Sequence, residues 1–209
     1  MVTLERRRVD GCLCSLANFM AVKEILHEYL QTARDAVVWK LDGLTEYDVR
    51  RPLVSTGTNL LGLVKHLTCG ELGYFQTVFD RSSDQANPWF DENVEGNADM
   101  FARADESRED IVAGYRRACS SADETIEALD LDSPGKVPWW GNQPVTLGRI
   151  LVHVTTETCR HAGHADVVRE LLDGQVGYAT WDSNVPDHDT AWWHSYRDRV
   201  EQEARRAAG

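Results

Sequence analysis

Residues 150–174, ILVHVTTETCRHAGHADVVRELLDG, put ionisable side chains on the helix face that their apolar neighbours mark for burial. At about 100° per residue, Glu157, His161 and His164 share a stripe with Ile150, Val154 and Val168, and His153 lies at its edge. Burying a charged or strongly polar group is costly unless it is paired, hydrogen-bonded or metal-bound. Only a helical packing that supplies partners along this stripe can bury it. A metal ion is the most economical partner.

Glu157 and His161 are four residues apart, one helical turn, so both can converge on one ion from a single helix. The third donor has to come from another element. The best candidate is His66 in NLLGLVKHLTCGELGYF, residues 59–75, a second strongly apolar helical pattern with His66 on the shoulder of its buried stripe. Two imidazoles and one carboxylate suit zinc or another first-row divalent ion and leave coordination positions open for water or substrate. Iron, nickel and manganese are compatible with the same donors. Without a metal, a Glu–His pair at this spacing is an ordinary surface ion pair, and its place in mid-stripe argues against that reading.

The 209 residues are enough for one domain with a real core. We expect a single helical domain over 20–209, after an arm, residues 1–19, that lacks a clear period and is poorly ordered; Met20 stands as an alternative start. The 34 acidic and 22 basic residues give a net charge of −12, which disfavours nucleic acid and anionic membranes as partners. No apolar run reaches the roughly 18 residues of a membrane span. Arg6, Arg7 and Arg8 precede an apolar run that is short and interrupted by Asp10, so no signal peptide is expected and the location is cytoplasmic. Five cysteines, Cys12, Cys14, Cys69, Cys119 and Cys159, are an odd number without framework spacing and read as reduced thiols.

Taken in order, a first helix runs from Val22 to a cap at Gly43. A second, capped by Thr58 or Asn59, continues through Asp80 and bears His66. Residues 81 to about 104 form a long acidic connection with Trp89, Phe90 and Phe101 as candidate anchors. A connection of that length lets the second and third helices run parallel. Asp105 or Ser107 caps the third helix, whose Ile111, Tyr115, Ala118, Ala122, Ile126 and Leu129 share a face. A loop punctuated by prolines and glycines carries Trp139 and Trp140, which either wall the site or anchor the core. The fourth, metal-bearing helix begins near Thr146, and Asp189-Thr190 caps a final helix with Trp192, Trp193, Tyr196 and Val200. No strand pattern appears.

With those two helices in view, LLGLVKHL at 60–67 and ETCRHAGHADVVRELLDG at 157–174 resemble the DinB/YfiT-like superfamily of four-helix metalloproteins. The resemblance covers roughly residues 22–174. It implies an all-α four-helix bundle with a long connection between helices two and three, down-up-up-down, here with an extra C-terminal helix. The usual pattern on the fourth helix is histidine, three residues, histidine; this chain has Glu157 in the first position and His161 in the second. A glutamate there is similar to mycothiol-dependent maleylpyruvate isomerase, and the flanking segments look still more like an uncharacterised DinB-like subfamily, some members of which are linked to mycothiol S-transfer. The resemblance implies His66, Glu157 and His161 as ligands and mycothiol, or another low-molecular-weight thiol, as co-substrate. His153 and His164 are candidates for orienting a ligand or receiving a proton.

The leading expectation is a metal-dependent thiol S-transferase or isomerase that joins the thiol to a small electrophile held against Trp139 and Trp140. A hydrolase using metal-bound water, a non-haem iron enzyme, and a non-catalytic metal-stabilised binding or stress-response module are the alternatives. A homodimer is compatible with all of them. Cys159 reads as packing, and Arg160 and Arg169 as solvated.

Overall fold

A computed structural model describes residues 10–87 and 95–209, with side chains from residue 22 onward. Helix α1, Asp10–Trp39, is followed by the short α2, Glu46–Arg50, and by α3, Leu60–Phe75. Then come α4, Arg108–Ala128, the strands β1, Pro134–Val137, and β2, Gln143–Thr146, and the helices α5, Leu147–Asp173, and α6, Thr190–Ala207. The four long helices expected from periodicity are α1, α3, α4 and α5, and α6 is the added one. Their starts follow from capping chemistry: Asn59, Ser107, Thr146 and Asp189 each accept a hydrogen bond from a backbone N–H in the first turn. Gly174 closes α5 at φ +79°, a conformation glycine adopts without strain.

Four differences from expectation concern the backbone. Helix α1 starts at Asp10, so residues 10–19 of the expected arm are helical; residues 1–9 lie outside those described. The second long helix ends at Phe75 rather than Asp80, and a 3₁₀ turn at Thr77–Phe79 completes that stretch. Residues 46–50, which showed no pattern of their own, form α2, with the Thr45 side chain capping it. The Pro- and Gly-punctuated loop is a two-stranded antiparallel hairpin, pairing Pro134 with Thr146 and Val137 with Gln143. Each strand has four residues and only Val137 and Val145 are buried, too short an alternation to show as a period. Gly135 lets β1 lie against Val78 and Phe79, where a Cβ would come within 2.8 Å and 2.7 Å of their side chains.

Cross-helix contacts fix the directions. Lys65, early in α3, pairs with Glu106 just before α4, and Gln76, just past α3, donates to the carbonyl of Ser121 near the end of α4. These helices are therefore parallel, as the long connection requires. Lys23 reaches the Leu129 carbonyl beyond α4 while Arg108 at its start reaches the Leu41 carbonyl beyond α1, so α1 and α4 are antiparallel. Lys40 pairs with Asp166, which brings the C-terminal ends of α1 and α5 together. The result is the down-up-up-down order.

The core has two apolar layers. One gathers Val37, Leu41, Leu61, Val64, Leu67 and Val168; the other gathers Leu30, Phe75, Ile126, Val137, Ile150 and Val154. Between them, on α1 and α3, lies a buried ion pair of Arg34 with Glu71, at 2.6 Å and each 1% exposed. Cys69 and Cys119 are buried, as expected, whereas Cys159 is exposed because the inward arc of α5 runs through Thr158 and Ala162. Arg169, expected in solvent, is buried: it donates to the carbonyls of Lys40 and Asp42 just past α1 and pairs with Asp173. Those carbonyls have no helical partner, and the guanidinium satisfies them. Among the described residues no helix is long and apolar enough to cross a membrane.

Asn59 tests how much one cap contributes. Its side chain accepts from Gly62 N–H and donates to the Met100 carbonyl. Asn59→Ala should lower stability by at least about 1 kcal/mol, read from urea denaturation, since cap loss alone costs roughly 0.5–2 kcal/mol.

Candidate metal centre

Helix α3 brings His66 and α5 brings Glu157 and His161 to one place. One nitrogen of each imidazole and one oxygen of the carboxylate all lie within 4.8 Å of one another. His161 Nε2 is 3.0 Å from Glu157 Oε1, and His66 Nε2 is 3.8 Å from the same oxygen. The two imidazole rings meet edge-on with centroids 4.8 Å apart. Two donors that share one ion at about 2.0–2.2 Å each can be no more than about 4.4 Å apart, so a small side-chain rotation suffices to close the widest gap.

The site sits on the flank of α5 rather than at the centre of its buried face. Thr158, Ala162 and Ala165 form that centre, which leaves Glu157 half-buried and His161 buried. The flank placement explains a correction: His164, expected in the buried stripe, is exposed. Its Nδ1 nonetheless lies 3.3 Å from His161 Nδ1. One of those two nitrogens must donate and the other accept. His161 Nε2 also sits within hydrogen-bond distance of Glu157 Oε1, at 3.0 Å, and carries the proton there; for Nε2 to offer a lone pair to an ion, the proton moves to Nδ1, where His164 Nδ1 accepts it.

His66 has a partner that sequence reading missed. Asp99, in a 3₁₀ turn at Ala98–Met100 within the acidic connection, places Oδ2 2.7 Å from His66 Nδ1. Its signal was hidden because an acidic loop offers many carboxylates and no period to single one out. Of the anchors expected in that loop, Trp89 and Phe90 lie outside the described residues, and Phe101 is largely exposed beneath the Lys65 ammonium rather than packed inward.

An aromatic group adjoins the three donors. Tyr74, two turns beyond His66 on α3, contacts Trp139, Trp140 and His153 at centroid distances of 5.1, 5.8 and 4.7 Å. Trp139 Nε1 donates to Tyr74 Oη at 3.3 Å, and Trp140 packs edge-on to His153. The hairpin thus carries both indoles to the flank of α5. Tyr74 is the member that sequence reading passed over, because a tyrosine on an apolar helix face looks like core.

Electrostatics favour the protonation states a ligand set needs. Partial burial raises the Glu157 pKa, but His161, His66 and His153 outweigh it and hold the carboxyl below its usual range. Burial and the neighbouring His66 lower His161, more than Glu157 raises it. Burial also lowers His153, against the pull of Glu157. An ionised carboxylate and neutral imidazoles are the forms that donate to a cation. The donor set, its spacing and its protonation therefore fit a divalent ion.

A four-helix bundle of this direction pattern, with a His–Glu–His cluster between its second and fourth long helices, defines a DinB-like protein. The chain belongs to the mycothiol-S-transferase family, which it matches over residues 25–174. No curated protein matches it.

Proposed function

We propose that this protein is a metal-dependent S-transferase that joins a low-molecular-weight thiol, mycothiol in the first instance, to a small electrophile. The observation that carries the reading is the convergence of His66, Glu157 and His161 in a chain of this family. These three residues hold the ion, with zinc the best match to two imidazoles and a carboxylate. A bound zinc ion stabilises a coordinating thiolate, which makes a thiol nucleophilic at neutral pH.

The chain's own residues do the rest. Tyr74, Trp139 and Trp140 form the wall against which the electrophile lies, and their fixed mutual contacts orient it without a loss of side-chain freedom on binding. His153, one turn before Glu157 and kept neutral by burial, takes the thiol proton at a ring nitrogen and passes it to solvent. The sulfur forms the new bond to carbon as the leaving group departs with its electron pair, and Glu157 remains ionised throughout.

Metal analysis of protein purified without added metal, followed by conjugation assays with mycothiol and other cellular thiols, tests the proposal. We expect one divalent ion per chain and conjugation that stops on chelation. Metal-independent conjugation, or bound metal with water as the only nucleophile, would overturn it, the latter in favour of a hydrolase.

A further inference from the structure

We infer that Asp99 is a positioning residue: it fixes His66 as an Nε2 donor, and one face of α3 is built to hold the segment that delivers it. The inference rests on the metal-centre reading above and adds a second requirement to it.

A carboxylate only accepts hydrogen bonds near neutral pH. With Asp99 Oδ2 2.7 Å from His66 Nδ1, that nitrogen must carry the proton, because otherwise two lone pairs would face each other. The remaining lone pair then lies on Nε2, the atom turned toward Glu157 Oε1. Both partners are largely shielded from water, at 19% and 13% side-chain exposure, so solvent competes weakly for the bond. Asp99 therefore selects the tautomer and orients the ring before any ion arrives.

The segment around Asp99 is held by residues at positions 59, 62 and 65, adjacent to His66. Asn59 Nδ2 donates to the Met100 carbonyl at 3.0 Å. Gly62 allows that carbonyl to approach so closely that a Cβ would lie 1.9 Å from its oxygen. Lys65 Nζ donates to the carbonyls of Ala98, at 3.2 Å, and Phe101, at 2.9 Å, while pairing with Glu106 at 2.8 Å. Positions spaced by three lie along one helix face, so the backbone on both sides of Asp99 is clamped to the same face that presents His66. Metal affinity is thus coupled to the seating of a loop far from α5 in sequence.

The test uses two measurements on the full chain. Long-range proton–nitrogen correlation spectra of metal-free protein, taken where the imidazole is neutral, report the His66 tautomer; competition against a chromophoric chelator reports zinc affinity. We expect the Nδ1–H form in the wild type. Asp99→Leu should populate the Nε2–H form and weaken zinc binding by about 10–100-fold. Gly62→Ala should do the same in part, with Asp99 still present, because it displaces the Met100 carbonyl. Asp99→Ala removes the acceptor without adding bulk, so it should act as Asp99→Leu does; it serves as the deciding variant if Asp99→Leu does not fold. An unchanged tautomer or unchanged zinc affinity in Asp99→Leu, or in Asp99→Ala where Asp99→Leu does not fold, would overturn the assignment. A wild type that binds no zinc, yet whose tautomer follows Asp99, separates the outcomes: the positioning stands and the metal reading falls.

Discussion

Under the proposed function, His161→Ala is expected to abolish metal binding and thiol transfer while leaving the bundle folded. His161 is one of three converging donors, and its loss leaves Glu157 and His66 on different helices without the imidazole closest to the carboxylate. Two remaining ligands hold a divalent ion poorly, so bound zinc should fall well below one per chain after gel filtration. Stability should change much less. The two core layers bury many leucine, isoleucine and valine side chains, each worth roughly 1.5–3 kcal/mol. Glu157 is 39% exposed, so water can replace its lost partner. Far-UV dichroism should be unchanged. Small zinc domains behave oppositely because they lack such a core. Unfolding of the variant at room temperature would mean that the ion is structural, which is the binding-module reading; retention of metal and activity would place the centre elsewhere.

Local signals carried most of the fold, because helix periodicity and capping act within a few residues. Asn59, Ser107 and Asp189 were legible as candidate caps for that reason, as was a helix start near Thr146, and so was the convergence of His66 with the α5 pair once a family pattern linked them. The hairpin was not, since four-residue strands with one buried valine each have no period to detect. Asp99, Tyr74 and the buried Arg169 were missed for a different reason. Each acquires its role from a partner more than 30 residues away or from a backbone carbonyl, and no spacing within one helix encodes such a contact. His164 and Cys159 went astray by angle: the buried arc of α5 is centred one residue beyond Glu157, and about 100° of rotation separates inside from outside.

The largest stability effect should come from a pair that no periodicity reveals. Arg34 of α1 donates from Nε and Nη2 to both oxygens of Glu71 of α3, at 2.8 and 2.6 Å, and from Nη1 to Asp123 of α4 at 2.6 Å. Burial opposes the charge on Arg34, but Glu71 and Asp123 outweigh that and raise its pKa. Three helices of the bundle are thus tied at one level, between the two apolar layers. Glu71→Met leaves the guanidinium buried with two of its three bonds to carboxylates gone. Removing one partner of a buried pair costs about 3–5 kcal/mol, against a total stability of about 5–15 kcal/mol for a domain. With a urea dependence of roughly 1–3 kcal/mol per molar, the unfolding midpoint should fall by about 1–5 M. Replacing both partners by methionine removes the uncompensated charge and fills similar volume, so Arg34→Met/Glu71→Met should recover most of the loss. Asp123, 31% exposed, then keeps its contact with His27 and stays solvated. A double variant no more stable than Glu71→Met would show that the pair contributes net stability of its own, and a Glu71→Met midpoint within 0.5 M, a margin of roughly 1 kcal/mol, would show that Asp123 alone satisfies Arg34.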